Sequence, residues 1–239
     1  MIDTHAHLDA LDDDPADVIA RARDAGVTRI LTVGTAQAVE LAERFEDVWA
    51  IVGIHPHDSA TGDIEEVRRL QQHPKAVAVG ETGLDWFRNY ATPEAQRGMF
   101  EAQLGLATEL GKPLVIHTRA ADDDTLAALA GFDGTVILHC FSSPRMLPTA
   151  LERGWYVSFA GNATYKNAPE LRLAATQVPA DRILAETDCP YLAPQPVRGR
   201  TNEPAYVVHT VAALAQARGE DAGELAAQID RNATACFAL

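Results

Sequence analysis

The chain has 239 residues, with 34 acidic against 20 basic side chains and a formal net charge of −14, a balance that excludes a broad basic surface for gripping long duplex DNA. Its three cysteines, Cys140, Cys189 and Cys236, cannot close a full set of bridges and match no zinc-ribbon spacing, which excludes a disulfide framework. No apolar run approaches the roughly 20 residues of a membrane span, so no membrane association is expected.

The first predicted strand, Met1 to Thr4, leads into Thr4-His5-Ala6-His7, where two imidazoles two residues apart project toward the same face of an extended chain. One metal ion can take both nitrogens at that spacing. A helix is predicted over Pro15 to Ala25, then strands over Arg29 to Val33 and Trp49 to Ile54, the second running into His55 and His57. After a helix from Asp63 to Gln72, the run from Ala76 ends on Glu81. A helix over Pro93 to Leu110 precedes a strand from Leu114 to His117, with Arg119 just beyond it. Another helix, Asp122 to Leu129, precedes a strand from Val136 to His139. The last strands are Tyr156 to Phe159 and Ile183 to Ala185, and the latter leads through Glu186 and Thr187 to Asp188.

Most of these runs are apolar at consecutive positions, the pattern of parallel strands covered on both faces, and the segments between them carry Asp, Thr or Pro start signals of helices. Strand and helix alternate nearly from end to end, and a (β/α)8 barrel takes about 250 residues. The expectation is therefore an α/β fold, a TIM barrel, as a single domain over residues 1–239. Active sites of such barrels lie at the carboxyl ends of the strands, which would bring His5, His7, Glu81, His117, His139 and Asp188 to one mouth. An open doubly wound sheet would string the same strand ends along a line.

Six motifs carry a family resemblance. They are Asp3-Thr4-His5-Ala6-His7-Leu8-Asp9, Gly53-Ile54-His55-Pro56-His57, Gly80-Glu81-Thr82-Gly83-Leu84-Asp85, Ile116-His117-Thr118-Arg119, His139-Cys140-Phe141-Ser142 and Glu186-Thr187-Asp188-Cys189-Pro190-Tyr191-Leu192. Together they resemble the TatD-type metal-dependent nucleases of the amidohydrolase superfamily. The resemblance implies a distorted TIM barrel with a divalent metal pair and activity on DNA phosphodiesters, with His5, His7 and Asp188 on one ion, His117 and His139 on the other, and Glu81 bridging them. It also implies a second role for Asp188, as acceptor of the proton from the attacking water, and a site-edge place for Glu203 in Arg200-Thr201-Asn202-Glu203-Pro204. Two positions depart from the family pattern, Ser143 in place of a common Gly and Trp86 in place of a common Tyr; both bear on the substrate groove and neither on the ligands.

The chemistry asks for such a set independently. A phosphodiester is a poor electrophile and neutral water a poor nucleophile; two nearby ions lower the pKa of a bound water and neutralise charge on the phosphoryl oxygens. Imidazole and carboxylate donors suit zinc, manganese or magnesium alike. Glu186, two residues before Asp188, is placed either to orient a ligand histidine or to partner a buried backbone or guanidinium group. His55 suits a phosphate contact, His57 a capping or loop-packing role, and Arg119 either a phosphate clamp through its planar fork or a structural ion pair. Asn202 and Glu203 also suit a helix cap and first turn. The runs Asp12-Asp13-Asp14 and Asp122-Asp123-Asp124 read as solvated first-turn carboxylates, and His73 and His209 as ordinary structural histidines.

Only three of the basic residues are lysines, Lys75, Lys112 and Lys166. An acid-rich, lysine-poor surface resembles proteins adapted to high salt, where screening suppresses long-range repulsion. It fits a partner no larger than a short single-stranded segment or 3′ end of DNA, met by metals and a few arginines. No coiled-coil heptad or basic dimer face points to an obligate protein partner. Without a basic, hydrophobic leader before the first strand, the expected location is the cytoplasm, and Cys140 and Cys189 read as buried thiols. The leading functional expectation is a 3′–5′ exodeoxyribonuclease using a metal-bridging hydroxide. The alternatives are a hydrolase of esters, lactones or amides with the same metal pair, and a metal-stabilised module without catalysis, against which the absence of thiolate donors speaks.

Overall fold

Short β-branched and alanine-rich runs form β1 (Ile2–Ala6), β2 (Arg29–Gly34), β3 (Val48–Val52), β4 (Ala76–Asp85), β5 (Leu114–Arg119), β6 (Val136–Leu138), β7 (Tyr156–Phe159) and β8 (Ile183–Ala185) in the computed structural model, which describes residues 1–88 and 90–239. Their order in the sheet is β1 through β8 in sequence, and Ala6 forms a parallel bridge with Cys189 just past β8. This is the (β/α)8 barrel topology, as the alternation predicts.

The helices are α1 (Pro15–Asp24), α2 (Ala36–Arg44), α3 (Ile64–Leu70), α4 (Pro93–Leu110), α5 (Asp122–Leu129), α6 (Leu147–Glu152), α7 (Pro169–Gln177), α8 (Val207–Arg218) and α9 (Ala222–Phe237). Asp14 caps α1 and Thr92 caps α4, each followed by proline at the first helical position, and Asp221 caps α9 through the amides of Gly223 and Glu224; each such cap contributes about 1 kcal/mol. No helix among the described residues is long and apolar enough to cross a membrane.

The chain falls into two compact units. In the first, Met1–Thr32 with His139–Leu239, β1 pairs with the start of β2, and β7 with β8 through Val157–Ile183, Ser158–Leu184 and Phe159–Ala185. Asn202 lies buried behind the segment that follows β8, its Nδ2 donating to Thr187 O at 2.8 Å and to Tyr191 O at 2.6 Å. In the second unit, Val33–Leu138, β3 to β6 pair in sequence.

β4 runs to Asp85, four residues past the predicted end at Glu81, so Glu81 lies inside a strand. Glycine makes this extension possible. Gly83 has φ +139°, and a Cβ there would stand 2.0 Å from His117 O on β5; only a residue without one lets the two backbones pair there. The register with β5 shifts between Val79 and Thr82, a bulge that spans Glu81 and re-aims it.

Three buried glutamines tie this unit together. Gln71 Nε2 donates to Val52 O and Ala78 O, both at 2.8 Å. Gln96 on α4 bonds both backbone groups of Asp85. Gln103, also on α4, accepts from Ile54 N at 2.8 Å and donates to Ile54 O at 2.9 Å and Thr82 Oγ1 at 2.7 Å. Two lysines do similar service near the surface. Lys75 Nζ reaches the carbonyls of Ala42, Phe45 and Glu46 at 2.7, 2.6 and 3.1 Å, and Lys112 Nζ reaches Gln71 O, Gln71 Oε1 and Ala76 O at 2.6, 2.9 and 2.6 Å.

Candidate metal centre

In the first unit, β1 ends at Ala6, so His5 lies in the strand and His7 one residue beyond it. Their rings nevertheless stay close, with centroids 5.1 Å apart. The His139 ring, just past β6, stacks on His5 at 3.9 Å. Asp188, three residues past β8, places Oδ1 at 3.5 Å from His7 Nε2 and 3.9 Å from His5 Nε2. His5, His139 and Asp188 each offer a donor atom within 4.8 Å of the others. Burial works against ionisation of Asp188, but its hydrogen bond from His7 and the charges of His139, His5 and His7 outweigh that and hold its carboxyl below the usual range. Its backbone is left-handed, φ +57°, a conformation aspartate tolerates better than most residues. The amide of Asp188 donates to His5 O at 2.9 Å, pinning the carboxylate beside β1.

Glu186 is buried next to this set. Its Oε1 accepts from His139 Nδ1 at 3.0 Å and Cys140 N at 2.7 Å, and its Oε2 accepts from Ser158 Oγ. A carboxylate can only accept, so His139 carries its proton on Nδ1 and keeps the Nε2 lone pair for a ligand. Cys140 adopts φ +44° and is half-buried, whereas the strand alternation had it as a buried thiol; it lies past the end of β6, where alternation no longer applies. Cys189 is buried as expected. Asp3, two residues before His5, is fully buried and accepts from Thr187 N at 2.9 Å and from Thr187 Oγ1; burial pushes its carboxyl up to about 8.

In the second unit, His55, Glu81 and His117 form a further set with donor atoms within 4.8 Å. Glu81 Oε1 lies 2.7 Å from His117 Nδ1 and 3.5 Å from His55 Nε2. Asp85 sits behind them, with Oδ2 at 3.2 Å from His117 Nε2 and 2.9 Å from His57 Nε2, while Oδ1 accepts from the amides of Phe87 and Arg88, both at 2.8 Å. Burial opposes its ionisation, but the hydrogen bonds from His117, Arg88 N and His57 prevail and hold the carboxyl well below the usual range. His57 N donates to His55 Nδ1 at 3.1 Å, turning the His55 ring toward Glu81.

Arg119 lies with its guanidinium carbon 3.9 Å over the Phe87 ring. Glu203 makes no cap bond with its side chain; its Oε2 pairs with Arg21 Nε at 2.7 Å and Nη2 at 2.6 Å, and Arg21 also holds Asp13. Asp14 is the cap of α1, and Asp122, Asp123 and Asp124 form the first turn of α5. His73 pairs with Glu43 at 3.2 Å.

A model of the TatD related DNase family matches residues 2–238. The chain belongs to this family. Among its TatD relatives are an uncharacterised metal-dependent hydrolase TatD of Mycobacterium tuberculosis, 40% identical over all of this chain and 98% of that protein, and a 3′-5′ ssDNA/RNA exonuclease TatD of Enterobacter lignolyticus, 39% identical over 93% of this chain and 92% of that one. The crystal structure of YJJV, a TatD homologue from Escherichia coli K12, superposes with a TM-score of 0.93 at 29% identity and covers 100% of this chain and 98% of that one. This TatD chain is thus a hydrolase, and its imidazole and carboxylate donor sets support divalent metal binding. Both sets lack thiolates and mix neutral with anionic donors, the composition of open catalytic sites.

His139 lies with His5 and Asp188 in the first unit, and His55 joins Glu81 and His117 in the second. Asp3 beside the first set and Asp85 beside the second both stand in the quoted motifs, although neither closes an apolar run. Period two signals them: Asp3 is two residues before His5, and Asp85 four after Glu81 in the same strand.

Proposed function

We propose that this TatD-family hydrolase is a 3′–5′ exonuclease that removes nucleotides from single-stranded DNA or frayed ends. The observation that carries the reading is the pair of donor sets, His5–His139–Asp188 and His55–Glu81–His117, each able to close on one divalent ion. In this proposal both units belong to one catalytic domain, residues 1–239, and His7 joins the first set. Bound divalent ions would supply Lewis acidity and lower the pKa of a water. Asp188 accepts the proton of the attacking water, Glu186 keeps His139 in the tautomer a ligand needs, and Glu81 draws His55 and His117 together. Arg119 holds the backbone phosphate of the substrate, and Glu203 with Arg21 forms the rim. The three free cysteines fit a reducing, cytoplasmic setting.

The test is release of mononucleotides from a 5′-labelled single-stranded oligodeoxynucleotide by metal-reconstituted protein, with Glu81→Ala as control and a panel of esters and lactones alongside. A ladder shrinking from the 3′ end, lost in the control, is expected. Intact DNA with metal-dependent turnover of an ester or lactone overturns the nuclease reading in favour of carbonyl hydrolysis. Near-normal turnover by Asp188→Asn with metals bound removes Asp188 from the proton transfer.

A further inference from the structure

Among the described residues, the large apolar side chains left exposed are Phe87, Tyr90, Leu173 and Tyr191. Two of the three rings, Phe87 at 59% and Tyr90 at 66% exposure, stand in the short segment between β4 and α4. Two rings left in water three residues apart in the chain, where Leu173 and Tyr191 are the other large apolar side chains exposed among the described residues, mark a contact surface more than a packing remainder.

The rings are tied to the donor set through Asp85. Asp85 accepts from His117 and His57 through Oδ2 and from the amides of Phe87 and Arg88 through Oδ1, so one buried carboxylate references the segment to the histidines. The Tyr90 ring stands edge-on to His57, centroids 4.8 Å apart at 87°, and His57 in turn lies 4.2 Å from His55. Arg119 covers Phe87 at 3.9 Å, and the Arg88 guanidinium lies 5.6 Å from the same ring. Behind them, Trp86 Nε1 donates to Asp124 at 2.9 Å and Arg97 lies over the Trp86 ring at 5.0 Å, which anchors the segment to α4 and α5. In a chain of net charge −14, two guanidinium groups gather on this one exposed ring.

We propose that Phe87 and Tyr90, flanked by Arg119 and Arg88, form a nucleobase-stacking platform beside the His55–Glu81–His117 set. The proposal rests on the single-strand nuclease reading and names how that substrate is held. Every base has a π face, so stacking grips any sequence, and guanidinium groups take the phosphates between stacked bases. Bases in a duplex have their faces covered by neighbours. The platform therefore favours unpaired ends and needs no wide basic surface, which reconciles a nucleic-acid substrate with the acidic composition.

The experiment uses a short single-stranded oligonucleotide carrying 2-aminopurine at its last two positions, whose fluorescence is quenched on stacking. Quenching by the wild-type protein is expected, and Phe87→Ala and Tyr90→Ala should weaken it. Each variant should raise KM for cleavage by about tenfold, the scale of one lost base–aromatic stack, with kcat near wild type. Tyr90→Phe, which keeps the ring, should restore KM. On an oligonucleotide abasic at the same positions, wild type and variants should have the same KM. Unchanged KM in both alanine variants on normal DNA overturns the platform while leaving the nuclease reading standing. An equal rise on normal and abasic substrates also overturns it, because the rings would then act by shaping the loop. If the wild type neither binds nor cleaves single-stranded DNA, the nuclease reading falls and takes the platform with it.

Discussion

Replacing Gln103 by leucine keeps the shape of a fully buried side chain and removes three hydrogen bonds: from Ile54 N, to Ile54 O and to Thr82 Oγ1. Each backbone or hydroxyl group left buried without a partner costs about 1–3 kcal/mol. With some relaxation of the neighbours, we expect a loss of about 3–5 kcal/mol, a large part of the roughly 5–15 kcal/mol typical of a domain. The close approach of Gly53 makes relief by movement difficult, since a Cβ there would already lie 2.6 Å from Gln103 Oε1 and 2.5 Å from Gly80 O. The assay is urea denaturation followed by circular dichroism, where the midpoint should fall with the slope unchanged. Because Ile54 precedes His55, the same variant should bind divalent metal more weakly at the second donor set. A stability change under about 1 kcal/mol would refute the claim that this glutamine holds the His55 loop to β4.

Three further outcomes follow from the same geometry. Glu186→Gln replaces the acceptor that fixes His139, and metal affinity measured by calorimetry on the apo protein should fall about 10–100-fold with the far-ultraviolet spectrum unchanged; an unchanged affinity would leave Glu186 a purely structural residue. Chelation should lower the melting temperature and readdition of divalent metal restore it, since ligand at about 100 times its Kd stabilises the native state by about 2.7 kcal/mol; an identical melt with and without chelator would count against metal in the folded protein. With 34 acidic residues on 239, the folding midpoint should rise between low and molar potassium chloride as repulsion is screened. A midpoint highest without added salt would discard the salt adaptation.

Strand and helix order was legible because buried parallel strands are apolar throughout and helices open on Asp, Thr or Pro; α4 and α5 begin and end where their sequences say they should. What escaped was local backbone chemistry. Gly83 argues against strand by propensity, yet β4 uses it to pass β5 closely and so runs on to Asp85, past the expected end at Glu81. The donor residues were legible one by one as polar residues closing apolar runs. Which ring nitrogen each histidine presents was not, because that depends on contacts such as those of His57 N with His55 Nδ1 and of Glu186 with His139 Nδ1. Glu203 shows the same limit: its motif suggests a cap or a site edge, and only the fold reveals that Arg21, far away in sequence, claims its carboxylate.

Lys75 and Lys112 put a different light on the scarcity of lysine. Each places a single nitrogen among three oxygen acceptors at the end of a half-buried stem. An ammonium can aim three protons outward from one point, whereas the flat guanidinium fork spreads its donors in a plane and cannot converge on such a pocket. Two of the three lysines in so acidic a chain thus stand where the geometry of the ammonium, and not its charge alone, suits the site.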